Sequence, residues 1–122
     1  MPVKYPNAKQ FKRELDGDRL ERLYLFLGEE EGEKEKTINR IMVMAFTDPT
    51  ERSNASRRFH MESDDLLAAA DFALSPSMFS ARRVCVMYNI DALRAPARLQ
   101  EQKRFLELMD ELPDSAILIL TT

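Results

Sequence analysis

The sequence predicts an α/β fold, a parallel sheet with helices on both faces, and three observations carry that reading. Residues 23–27, 83–88 and 116–120 are short runs that are apolar at nearly every position rather than alternating, the pattern of strands covered on both sides. Between them lie segments whose apolar residues recur at helical spacing. Strand and helix alternate along the chain, as in sheets built from crossover connections.

The elements follow in order. Asn7 is an N-cap candidate with Gln10 in capping-box position, Phe11 and Leu15 share a face, and Gly17 ends this first helix. Leu20 and Leu23 lead into the first buried strand, 23–27, which Gly28 stops. After an acidic stretch (Glu29, Glu30, Glu31, Glu33), Ile38, Ile41, Met42, Ala45 and Phe46 form one helical stripe from Lys34 onward. Asp48-Pro49 is expected to terminate that helix, because proline disfavours helix at the residue before it. Residues 50–56 read as polar loop and 57–61 as a short, half-exposed strand. Ser63 is expected to cap the next helix, with Asp64 and Asp65 at the positive end of its dipole and Leu66, Leu67, Ala70 and Leu74 inward. Ser75-Pro76 closes it. After strand 83–88, Pro96 opens a third clear helix with Leu99, Phe105, Leu106, Met109 and Leu112 inward, and Pro113-Asp114 breaks it before strand 116–120.

A chain of 122 residues makes one domain, 1–122, and area scaling buries about two-thirds of its unfolded surface, enough for a core without staples. The net charge of −3 argues against a free-standing nucleic-acid binder, whose affinity comes mainly from Lys and Arg. Cys85 and His60 are each the single residue of their type, which excludes an internal disulfide and leaves little for a metal or a catalytic dyad. The longest apolar run, 116–120, is far too short to cross a bilayer, and the first residues contain no apolar signal region. A reduced, cytoplasmic protein without a membrane partner fits these features. The sequence stops directly after a core strand, at Thr121-Thr122, so it reads as the N-terminal piece of a longer protein.

In sheets of this kind phosphates bind in the loop after the first central strand. Laid on the P-loop pattern Gly-x4-Gly-Lys-Ser/Thr, Gly28 and Lys34 fit, but Glu33 stands at the second glycine and Glu35 at the hydroxyl position. The glutamates of that turn repel a triphosphate: at an effective dielectric of about 20, two like charges 5 Å apart cost roughly 3 kcal/mol. The neighbouring strand should end on a carboxylate for the magnesium shell, and here it ends on Asn89 and Ile90, with Asp91 arriving late. Both halves of a nucleotide site are thus spoiled, and no cofactor is expected.

Between the helix ending near Leu74 and strand 83–88 lies a serine- and proline-marked segment holding Met78 and Phe79 side by side. Two readings stand for this pair. Phe79 can plug the base of the sheet while Met78 fills a gap, or both can insert into a pocket on a partner, with Arg82 and Arg83 as a polar rim.

The stretches YLFLGEE (24–30), SMFSARRV (77–84), NIDAL (89–93) and LPDSAILIL (112–120), in this order and spacing, resemble the N-terminal domain of the δ subunit of bacterial DNA polymerase III, the wrench of the clamp loader. The likeness covers residues 5–122. It implies an AAA+-like domain that has lost ATP binding, followed in the family by lid and collar domains. It also implies a hydrophobic wedge, at the positions of Met78 and Phe79, that enters a pocket on the sliding clamp (the polymerase III β subunit) and helps open it. The family's wedge carries an apolar residue two places earlier, where this chain has Pro76. Further partners implied are the other clamp-loader subunits, reached through the missing domains, and DNA only within the assembled loader. The resemblance thus implies a non-catalytic subunit of the DNA-directed DNA polymerase assembly.

Two rival classes are an active P-loop NTPase or kinase-like enzyme using Lys34, and a phospho-acceptor domain, for which only Asp91 stands near a strand end. His60, beside Phe59 and Met61, reads as a structural or edge histidine, and Cys85 as a small hydrophobe inside its strand. Arg57-Arg58, Arg82-Arg83 and Arg94/Arg98 are local basic spots whose default reading is solvated surface.

Overall fold

The computed structural model describes residues 3–4, 20–28, 31–75 and 81–122. Five strands, β1 (Val3–Lys4), β2 (Leu23–Phe26), β3 (Ser56–His60), β4 (Arg83–Tyr88) and β5 (Ala116–Thr121), pair in the order β1-β2-β5-β4-β3, every pair parallel. The helices among the described residues are α1 (Glu31–Ala45), α2 (Pro49–Ala55), α3 (Leu66–Leu74) and α4 (Leu99–Glu111), with 3-10 turns at Ile90–Arg94 and Pro96–Arg98 ahead of α4. The expected helix over residues 7–17 lies outside the described residues.

The last strand in sequence is central in space. β5 lies between β2 and β4 and all six of its residues are buried, which is why its run is apolar throughout. The chain leaves β2 for the far edge, β3, through α1 and α2, then steps back to β4 and β5 through α3 and α4. Parallel crossovers are right-handed, so reversing the direction of travel moves the helices to the opposite face. The side chains divide accordingly. Tyr24, Phe26, Val84, Val86, Ile117 and Ile119 pack with Ile38, Ile41 and Met42 of α1 and with Phe46 beyond it. Leu23, Cys85, Met87, Leu118 and Leu120 pack with Leu66, Ala69, Ala70 and Phe72 of α3 and Leu108 of α4.

Several expectations change at this level. Residues 50–56 are mostly helix, not loop, because Asp48-Pro49 ends one helix and starts another. The Asp48 carboxylate accepts from the Glu51 backbone N–H at 2.8 Å, Pro49 occupies the first turn, and Glu51 reaches back to the Thr47 hydroxyl at 2.6 Å. The cap of α3 is Asp65, whose Oδ1 accepts from Leu67 N at 2.9 Å, while Ser63 and Asp64 turn back onto the His60 carbonyl. Leu27 lies past the end of β2, exposed. The inward stripe of α4 runs through Phe105, Leu108, Met109 and Leu112, at i, i+3, i+4 and i+7, whereas Leu99 and Leu106 lie off it in solvent. Leu67 is likewise exposed, and Phe72 holds the inward position on α3.

Candidate functional site

The carboxyl ends of β3, β4 and β5 and the first turns of α1 enclose a cleft of about 430 Å³, at the edge of the sheet where α/β folds place their ligands. Gly28 turns the chain from β2 toward α1 at φ +98°, a left-handed conformation that glycine adopts without strain. α1 is already wound by Glu31, three residues before Lys34, so Glu31, Gly32 and Glu33 lie in its first turn. Lys34 is buried. Its ammonium donates to the main-chain oxygen of Thr122 at 3.2 Å and to Glu31 Oε1 at 3.4 Å. Glu33 pairs with Lys36 at 3.8 Å, and its carbonyl accepts from the Thr37 hydroxyl at 2.8 Å.

Glu35, at the hydroxyl position of the pattern, is bound into the protein. Its Oε1 accepts from the Tyr88 hydroxyl at 2.5 Å and its Oε2 from Arg58 Nη1 at 2.8 Å, and Arg58 also donates to the Tyr88 hydroxyl. Burial raises the Glu35 pKa, but the hydrogen bonds from Tyr88 and Arg58 and the Arg58 charge outweigh it and hold the carboxyl below its ordinary 4.5. Burial, then the hydrogen bond to Glu35, pushes the Tyr88 phenol up to about 12. His60, on the edge strand, stacks on Tyr88 with ring centroids 4.7 Å apart and lies 3.7 Å from Glu62. Asn89 ends β4 in the left-handed region at φ 56°, which asparagine tolerates better than most residues. Asp91 is exposed in the following 3-10 turn, 3.8 Å from Arg94, and does not line this cleft.

The second sequence-derived site sits elsewhere, in the connection from α3 to β4. Pro76, Met78 and Phe79 lie outside the described residues. Both anchors of the segment are described. α3 closes on Ser75, whose hydroxyl donates to the Asp71 carbonyl at 2.6 Å, and β4 opens with Arg83 N donating to the Ser115 carbonyl at 2.9 Å. Arg82 is exposed at this entry. The Arg83 guanidinium lies over the Phe72 ring at 4.4 Å, and that of Arg57 lies over Phe59 at 4.9 Å and Phe72 at 5.7 Å.

A family model described as "DNA polymerase III, delta subunit" matches residues 24–122. The chain belongs to that family. No curated protein sequence matches it. Among solved structures, the Bacillus subtilis DNA clamp loader delta protein superposes with a TM-score of 0.82 at 16% sequence identity, over 95% of this chain. The match covers 35% of the Bacillus protein, so this delta-family chain spans about a third of that relative's length. At such identity the likeness establishes the fold, an α/β parallel sheet shared with a clamp-loader delta protein.

Among the described residues no group of three or more His, Cys, Asp or Glu side chains is placed to hold a metal ion, and no helix is long and apolar enough to cross a membrane. The Cys85 thiol is buried, and burial pushes its pKa up to about 12, so it sits as a small hydrophobe.

Sequence reasoning missed two assemblies. Glu35, Arg58 and Tyr88 come from three elements 23 to 53 residues apart, and no local pattern links them. Arg98, read as solvated surface, is half-buried: it donates to the carbonyls of Met61 and of Asp64, the latter at 2.9 Å, and pairs with Glu101. Its two carbonyl partners lie 37 and 34 residues away, beyond any spacing rule.

Proposed function

We propose that this chain is the clamp-binding domain of a clamp-loader delta subunit, an AAA+-like module that neither binds nor hydrolyses ATP. One observation carries the loss of nucleotide binding. The lysine at the P-loop position is spent inside the protein, on the Thr122 main chain and Glu31, while Glu35 is locked to Tyr88 and Arg58 in the same cleft. Bringing a triphosphate there means breaking these bonds and placing its charge beside Glu31, Glu35 and Glu62. Membership of the delta family supports Met78 and Phe79 entering a pocket on the sliding clamp; Pro76 stands where the family's wedge carries another apolar residue, and exposed Arg82 is assigned to the rim on its position beside the segment. The other loader subunits bind through further domains of the whole protein, and DNA is met only within the assembled loader.

The test is binding of the whole protein to its matching clamp on a sensor surface. The Met78→Ala, Phe79→Ala double variant should lose at least about thirtyfold in affinity with unchanged thermal melting, since truncating an anchored aromatic costs about 2 kcal/mol or more. Undiminished binding by the folded double variant refutes the wedge. Titration with magnesium and ATP should produce no saturable heat; micromolar binding lost in Lys34→Ala would establish the NTPase reading instead.

A further inference from the structure

We propose that Arg57, Arg82 and Arg83 form a cationic face beside the α3–β4 connection that pairs with Asp and Glu side chains of the protein surface receiving that connection. The inference rests on the clamp-binding reading and adds the chemistry of the surface it needs.

Arg57 stands on edge strand β3 opposite Cys85, which puts it diagonally beside Arg83 on the same face of the sheet. Both guanidiniums lie over the Phe72 ring, at 5.7 and 4.4 Å, so their central carbons are within about 10 Å of each other. Phe72 sits on α3 three residues before its cap at Ser75, where the chain leaves for residues 76–80. The stacked cations are thereby held at the departure point of the segment, and exposed Arg82 stands at its return.

The neighbouring arginine is a built-in contrast. Arg58, on the opposite face, is engaged by Glu35 and Tyr88, whereas Arg57 is exposed, its described neighbours are aromatic rings, and no described carboxylate pairs with it. The exposed Arg57 guanidinium keeps N–H donors toward solvent, where they suit a carboxylate fork. Arg57, Arg82 and Arg83 thus bring three positive charges to the start of β3 and β4. In a chain of net charge −3 this is a local positive patch against the overall sign, which favours a docked acidic protein face over a long nucleic-acid track.

The experiment measures clamp binding by the whole protein at about 50 and 300 mM salt for wild type, Arg57→Glu, Arg82→Glu and Phe79→Ala, with thermal melts as folding controls. Both charge reversals should weaken binding about tenfold at low salt, mostly through slower association, and flatten the salt dependence. If a reversal fails to fold, Arg57→Gln, which keeps the side chain's polarity, should show a smaller loss of the same kind. Unchanged affinity and salt dependence in the reversals, while Phe79→Ala abolishes binding, overturn the cationic face and leave the wedge standing. Unchanged binding in Phe79→Ala as well removes the clamp reading and this inference with it. Intact clamp binding with loss of primed-DNA binding by the assembled loader also overturns it, by assigning the face to phosphates.

Discussion

The Tyr88 hydroxyl donates to Glu35 Oε1 at 2.5 Å, tying the end of β4 to the second turn of α1 across the cleft where a nucleotide would lie. Both groups titrate away from their ordinary values: burial raises Glu35 but the hydrogen bonds from Tyr88 and Arg58 outweigh it, whereas burial and this contact together raise Tyr88. Glu35 is held below 4.5, so its contribution to stability is complete above pH 4.5 and is lost as pH falls through the lowered folded value. Tyr88 is raised from 10.0 to about 12, so its contribution is complete below pH 10 and is lost as pH rises toward 12. Tyr88→Phe should cost about 1–2 kcal/mol at neutral pH. Melting curves of wild type and variant, compared across both pH windows, should converge at each extreme; a constant gap from acid to alkali would contradict the assignment.

Lys34 is predicted to act on folding. Lys34→Met keeps the apolar stem but removes the ammonium from the Thr122 main-chain oxygen and Glu31, a loss of about 1–2 kcal/mol. For a domain of this size that lowers Tm by about 4–8 °C in calorimetry, with no change in the response to magnesium and ATP. An unaltered Tm would show that the ammonium is not held as described.

The face of α4 provides a direct contrast. Leu108 is fully buried and Leu106, two positions earlier, is 68% exposed. Leu108→Ala should destabilise by about 2–5 kcal/mol through lost burial and a cavity, and Leu106→Ala by less than about 0.5 kcal/mol. Chemical denaturation of the two variants measures both, and comparable losses would mean the helix is rotated from the orientation found.

Asp48 caps α2, and Asp48→Ala should cost about 1 kcal/mol, or about 4 °C in Tm. Asp48→Asn should retain most of the stability, because the amide oxygen can accept the same Glu51 N–H. Equal losses for both variants would assign the effect to charge rather than to the cap.

How much was legible follows from the range of each determinant. β5 and β4 could be read from composition, because strands buried on both faces leave no polar position. The stripe of α1 could be read from its spacing. The α2 helix was hidden because Asp-Pro is both a stop for the helix before it and a start for the one after, and only the Asp48–Glu51–Thr47 hydrogen bonds decide between them. The exposed Leu99 and Leu106 stand one heptad apart on α4, but Gln102 and Lys103 lie between them, and the helix turns to α3 the more apolar side carrying Leu108.

At the candidate site the division is sharper. Residue type and spacing alone placed glutamates where a phosphate cradle needs glycine and a hydroxyl, and ordered the motifs that resemble the delta family. The sequence could say that Lys34 lacked a working loop, but not where its ammonium went. It could count Arg57, Arg58, Arg82 and Arg83, but not separate the one neutralised by Glu35 from the two that ride on Phe72. Strand register and sheet order bring together groups that are distant along the chain, and a charge meets its neighbours only when those elements close.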